Sequence, residues 1–108
     1  MEEKRFSEMT EFELKTTIAR LNEKAKKAEQ LGYMNEFAVH ERRKLLAQAY
    51  LLNPKDYVPG ESYQMIEGDS SFQISYLNGY FAWGYRDNTS SLEAVPISML
   101  RLNESRRR

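Results

Sequence analysis

SFQISYLNGYFAWGYR, residues 71–86, reads as two strands bent around a tight turn. Asn78 and Gly79 both tolerate the positive φ that a two-residue type I′ hairpin requires. On that turn the strands run over about Ser71–Leu77 and Tyr80–Arg86. Tyr76 is then expected to face Phe81, Ile74 to face Trp83, and Phe72 to face Tyr85. Side chains alternate between faces with period two, so all six share one face. Aromatic side chains bury on the order of 150–250 Å² each, which makes this face the expected interior. Gln73, Ser75, Ala82 and Gly84 fall on the other face, where small residues let a neighbouring backbone come close.

Moving outward from the hairpin, Asp56-Tyr57-Val58-Pro59-Gly60 reads as a turn into a strand over about Ser62–Ile66, broken by Gly68-Asp69. After a polar loop over residues 86–91, a fourth strand is expected at Leu92–Val95. Pro96 opens one helical turn that aims Ile97 and Leu100 inward together, and Leu102 closes a short last strand. Short strands at this spacing predict a five-stranded barrel over residues 54–108, on an SH3-like plan by analogy of topology. Eight of the 13 aromatic residues lie beyond Pro54, in keeping with their preference for pleated surfaces.

Before Pro54 the pattern changes to helical. Thr10 and Glu13 have capping-box spacing, with Met9 and Leu14 at the two positions of a hydrophobic staple. Leu14, Ile18, Leu21, Ala25 and Ala28 then recur in steps of four and three, a narrow apolar seam. Gly32 is placed to end this helix in a left-handed conformation. A second helix is expected from an Asn35 N-cap to about Leu52, with Met34 and Val39 as its staple and Pro54 setting its limit. The short link predicts an antiparallel hairpin over residues 1–53. The fold class is therefore α+β. The second helix carries two apolar stripes, Ala38-Leu45-Ala49-Leu52 and Val39-Leu46-Tyr50. A face that wide calls for more than one neighbour, such as the sheet or a second copy in a homodimer.

With 108 residues, 41% of them hydrophobic and 30% charged, the composition is that of a folded chain. Sixteen basic residues balance sixteen acidic ones, so no overall field draws nucleic acid or an anionic membrane. Cysteine is absent, which excludes disulfides, thiolate metal sites and a cysteine nucleophile. The opening residues lead into no apolar run, and no stretch approaches the roughly 20 apolar residues of a membrane span. The expected location is cytoplasmic.

Several blocks together resemble the YfhH-like family, small uncharacterised proteins of Bacillus-type bacteria. They are Ala25-Lys26-Lys27-Ala28-Glu29-Gln30, Ala49-Tyr50-Leu51-Leu52-Asn53-Pro54, Ile74-Ser75-Tyr76-Leu77-Asn78-Gly79, Phe81-Ala82-Trp83-Gly84-Tyr85-Arg86 and Pro96-Ile97-Ser98. The likeness covers nearly the whole chain. It implies a helical hairpin joined to an SH3-like barrel and a non-secreted, cytoplasmic protein. It implies no catalytic residue, cofactor or partner.

The residues offer little chemistry. His40 is the sole histidine, and its helix neighbours make a surface pairing with Glu36 the plain reading, not a metal ligand or base. The five glycines form neither a dinucleotide fingerprint nor a P-loop, and no nucleophile elbow is present. The expectation is a non-enzymatic protein-binding or adaptor module with no cofactor and no metal. Its candidate contact surface is Tyr80, Arg86 and Asn88 on the barrel, with Arg42 and Arg43 on the second helix. The alternative is an accessory nucleic-acid-binding protein of a regulatory kind, using Arg42-Arg43-Lys44 and the tail Arg106-Arg107-Arg108. Against it, residues 54–108 hold seven acidic and six basic residues, and phosphate contacts need a concentrated positive surface.

Overall fold

The computed structural model describes residues 4–87 and 89–102. The chain divides into two compact units, Met1–Leu51 and Leu52–Arg108.

The first unit is helical. A 3₁₀ turn, Phe6–Glu8, precedes α1, Glu11–Leu31, and α2, Met34–Ala49, comes next. The start of α1 is a complete capping box: the Thr10 hydroxyl accepts from the Glu13 N–H at 3.1 Å, and Glu13 Oε1 accepts from the Thr10 N–H at 2.9 Å. Lys4 holds the other carboxylate oxygen at 2.8 Å. At the far end Gly32 has φ +77, its N–H donates to Glu29 O, and the Tyr33 N–H reaches back to Ala28 O at 2.8 Å. This is a Schellman motif, in which glycine takes the left-handed position at no steric cost. Leu14, Leu21, Ala25 and Ala28 are buried as the seam predicts, together with Thr17, while Ile18 of the same seam is half-buried. Lys44 ties α2 to α1 through Asn22 Oδ1 at 3.1 Å.

Helix α2 departs from expectation at both ends. It starts at Met34 after an N-cap Tyr33 that makes no side-chain cap. Asn35 is therefore a helical residue, because the Schellman turn at Gly32 delivers the chain into helix two positions earlier. Met34 and Val39, expected as a covered staple, are each more than half exposed. The helix stops at Ala49, three residues short of the predicted limit. Of its two stripes, Ala49 is buried, Leu45, Leu46, Tyr50 and Leu52 are half-buried, and Ala38 and Val39 are exposed.

The second unit is an antiparallel sheet of four strands in the order β1 (Ser62–Gln64), β2 (Ser71–Asn78), β3 (Phe81–Arg86) and β4 (Glu93–Pro96). The five-stranded closed barrel is corrected to this open sheet. Strand β4 ends on Pro96, which has no N–H to continue a ladder, and the chain folds at once into a 3₁₀ turn, Ile97–Met99. The segment leaving that turn meets β1 through one bridge, Met65 with Leu100, and the bonds Ile66 N–H to Met99 O and Arg101 N–H to Gln64 O. Ile97 and Leu100 do point inward together and are buried.

The hairpin forms, but its register differs from the expected one. Asn78 pairs with Phe81, Leu77 with Ala82 and Tyr76 with Trp83. The two central turn residues are thus Gly79 and Tyr80. Gly79 has φ +62, matching the glycine-first pattern of a type II′ turn, and Asn78 is free to stay extended. A bulge at Ser75 then shifts the ladder, so that Ile74 pairs with Gly84 and Phe72 with Arg86. One extra residue on one strand reverses the facing of everything before it. Phe72 and Ile74 therefore join Ala82 and Gly84 on the inner face, all four buried. Tyr57, Tyr63, Met65, Val95, Ile97 and Leu100 complete the buried apolar set of this unit.

Gly84 marks the closest approach. A Cβ there would overlap the Gln73 carbonyl oxygen and stand 2.9 Å from its carbon and 3.0 Å from Cε1 of Phe72. Ala82 and Gly84, expected on the face opposite the aromatic one, are buried, and Gly84 lets a neighbouring backbone come close as its size predicts.

Candidate functional site

Because Ser75 reverses the facing of β2, Tyr76 and the β3 aromatics occupy the outer face of the sheet. Tyr76 and Trp83 are cross-strand partners whose rings lie 5.8 Å apart and 5° from parallel. Tyr76 is 45% exposed, and Phe81, Trp83 and Tyr85 are half-buried. Across the next ladder Trp83 pairs with Ala94 and Phe81 with Pro96. The outer face is therefore aromatic along β3 and carries the small apolar residues Ala94 and Pro96 along β4. It turns polar along β1, where Ser62 pairs with Gln73 and Gln64 with Ser71, all four exposed. The stack has the geometry of an offset or parallel aromatic pair, worth about 0.5–1.5 kcal/mol beyond its buried area, which holds both rings in place on a solvent-facing surface.

Simple alternation had placed Tyr76, Phe81, Trp83 and Tyr85 inside. A usable signal was present: large side chains at 81, 83 and 85 alternate with Ala82 and Gly84, and a close-packed core can be built on the small set. No local feature of Ser75 announces the bulge that makes the choice.

Within the sheet unit, Tyr80 and Arg86 of the expected contact surface stand at opposite ends of one strand. Tyr80 sits in the hairpin turn, half-buried, with its carbonyl accepting from the Ile97 N–H at 3.0 Å. Arg86 ends the same strand, roughly 20 Å away at about 3.4 Å per residue. It is held there by Glu93, with Nε donating to Oε2 at 2.9 Å and Nη2 to Oε1 at 3.3 Å. The Glu93 carboxylate raises the guanidinium pKa further above its usual value. Asn88 lies outside the described residues, as do Arg106, Arg107 and Arg108. Beside it, Asp87 takes φ +51, a conformation aspartate tolerates. Its Oδ1 accepts from the Ser71 N–H at 2.9 Å. That bond to Ser71, and after it one to Ser70, holds its carboxyl below the usual range.

On α2, Arg42 is exposed, while the Arg43 guanidinium lies 5.8 Å from the centre of the Phe6 ring, a cation–π distance. Lys44 is half-buried and bound to Glu41 at 3.0 Å as well as to Asn22. The run Arg42-Arg43-Lys44 thus points three ways instead of forming one basic patch. His40 is half-buried, and its Nδ1 is enclosed without a hydrogen-bond partner, so the expected pairing with Glu36 is not made. Among the described residues no group of three or more His, Cys, Asp or Glu side chains could hold a metal ion. Among them, too, no helix is long and apolar enough to cross a membrane.

The arrangement defines a class: a two-helix unit and, after it in the chain, an open antiparallel sheet with an aromatic outer face. The chain matches the family described as "Protein of unknown function (DUF1811)" over residues 4–101, and it belongs to that family. It is also similar to the uncharacterized protein YfhH of Bacillus subtilis (strain 168), 57% identical over 103 residues that cover 94% of this chain and 99% of that protein. The resemblance read from the sequence blocks is thereby shown.

Proposed function

We propose that this chain is a non-enzymatic protein-binding module of the cytoplasm, and that the outer face of its sheet is the contact surface. The observation that carries this is the Tyr76–Trp83 stack on a solvent-facing sheet, flanked by Phe81 and Tyr85. Aromatic residues are enriched where proteins meet, since they supply large contact area at low entropic cost. The absence of cysteine suits a reducing compartment.

The ionisable groups with displaced pKa values have structural partners. Glu13 is lowered by Lys4 and by the Thr10 N–H, Asp87 by Ser71, and Arg86 is raised by Glu93. These are caps and braces, and they favour a non-catalytic reading.

Stacked rings can also hold bases of single-stranded nucleic acid. Between residues 52 and 102 there are six acidic and three basic residues, a net charge of −3. That sign favours a protein over a polyanion. The test uses Trp83, the single tryptophan. The full chain and its Tyr76→Ala variant are used as bait for proteins of the native host, and Trp83 emission is monitored during titration with a thymidine oligonucleotide at low salt. Proteins retained by the wild type and lost on Tyr76→Ala, with unchanged circular dichroism, support the proposal. Equal retention by both overturns it, as does salt-sensitive quenching by the oligonucleotide, which selects the nucleic-acid alternative.

A further inference from the structure

The helical unit carries a groove that the sheet has no part in. About 450 Å³ in volume, it runs along α1 beside the 3₁₀ turn and the first half of α2. Its apolar surface comes from Phe6, Phe12, Leu21 and Val39. Two of these are unusually open for their type: Phe12 is 78% exposed and Val39 53%. Exposed apolar side chains gathered in a concave site mark an interaction surface more strongly than the same residues scattered singly.

Charge says what would cover it. Among the described residues, four cations line the groove, Lys4, Arg20, Lys24 and Arg43, with one carboxylate, Glu13. Lys4 already neutralises that carboxylate at 2.8 Å. Arg43 stands on the α2 side, over Phe6. Arg20 and Lys24 are exposed on α1 and make no ion pair or hydrogen bond among the described residues. They are four residues apart, one above the other along the helix. Cations therefore flank the apolar surface on both sides. From Phe12 to Lys24 the groove extends about 18 Å along α1, roughly three helical turns.

We infer that this groove binds an amphipathic helix of a partner protein, with an apolar stripe seated on Phe12 and Val39 and glutamates or aspartates on the flanks facing Arg20, Lys24 and Arg43. A third helix laid along a two-helix hairpin is an ordinary way to complete a small bundle. Opposite charges at the rim set partner choice and register. The groove lies wholly within the first unit, so this inference stands or falls apart from the role of the sheet.

The test uses three labelled peptides of about 16 residues, some four helical turns. One has apolar residues at helical spacing flanked by glutamates, one has lysines in place of the glutamates, and one has the acidic composition with its periodicity shuffled. Anisotropy is read against the full chain at moderate salt. The acidic helix is expected to bind, with its lysine and shuffled twins at least about tenfold weaker, a discrimination of about 1.4 kcal/mol. Arg20→Glu with Lys24→Glu, both at exposed positions, is expected to lose the acidic peptide by a similar factor and to gain the lysine twin. Phe12→Ala is expected to weaken the acidic peptide, and Tyr76→Ala to leave it unchanged. Equal binding of the lysine or shuffled twin overturns the inference. So does indifference to the double charge reversal, or failure of the acidic peptide to bind at millimolar concentration. Displacement of the peptide by dodecanoate at lower concentration would overturn it in favour of an acyl carboxylate. Light scattering that shows a dimer broken by Phe12→Ala would overturn it in favour of a second copy.

Discussion

Replacing Gly84 with alanine tests the register of the sheet most directly. Gly84 lies opposite Ile74, immediately after the bulge at Ser75. The added methyl would overlap the Gln73 carbonyl oxygen, with the carbonyl carbon at 2.9 Å and Phe72 Cε1 at 3.0 Å. A flexible side chain could step aside, but the obstacle here is backbone and a ring buried to 0% exposure. Overpacking a tight core typically costs about 1–3 kcal/mol. Moving the Gln73 carbonyl also disturbs the neighbouring ladder bonds, at about 1 kcal/mol each. The expected loss is about 2–4 kcal/mol, lowering the sheet unit's midpoint by on the order of 10–20 °C for a unit of this size. Urea unfolding monitored by Trp83 emission reads that unit alone, since it holds the single tryptophan. Gly68→Ala is the control. Its Cβ would meet open space at φ +70, so only the left-handed backbone penalty of about 1 kcal/mol remains. A Gly84→Ala variant within about 0.5 kcal/mol of wild type, on this scale of effects, would refute the close approach and with it the bulged register.

The two faces of the sheet should respond oppositely: Phe72→Ala is expected to cost about 3–5 kcal/mol in urea unfolding, and Tyr76→Ala about 1 kcal/mol, the worth of its stack. Thr10→Ala removes half of the capping box and should destabilise the helical unit by about 1 kcal/mol, read from thermal melts by far-ultraviolet circular dichroism. Asp87 has its carboxyl held below the usual value by the Ser71 N–H. Its contribution is therefore present above the ordinary carboxylate range and lost as pH falls through the lowered folded-state value. Asp87→Asn should flatten the acid limb of a stability–pH profile below about pH 4; an unchanged limb would show that the Ser71 bond contributes nothing. Arg86→Ala breaks a pair more than a third exposed on both sides, so a loss of no more than about 1 kcal/mol is expected in the same unfolding assay.

The helical unit was legible because its signals are local. Thr10 and Glu13 are three residues apart, Gly32 closes its own turn, and the seam Leu14-Ile18-Leu21-Ala25-Ala28 repeats at helical spacing. The groove was not legible. Its cations come from the segment before α1, from α1 and from α2, and only the packing of the hairpin puts Lys4, Arg20, Lys24 and Arg43 around one apolar surface. The partners of the expected contact residues, Tyr80, Arg86, Asn88, Arg42 and Arg43, were hidden for the same kind of reason. Each was chosen for exposure at its own position, and the fold gives Arg86 to Glu93 and Arg43 to the Phe6 ring.

Residues near in sequence were enough to establish two helices, the caps at both ends of the first, a tight hairpin at Gly79 and an α+β order, because each depends on contacts spanning a few positions. Which side of the sheet faces inward was settled only in three dimensions. Alternation has period two, so one additional residue at Ser75 exchanges the faces of all that precedes it. Whether the strand takes that residue as a bulge depends on how Phe72 and Ile74 pack beneath Gly84 and on what the core can accommodate.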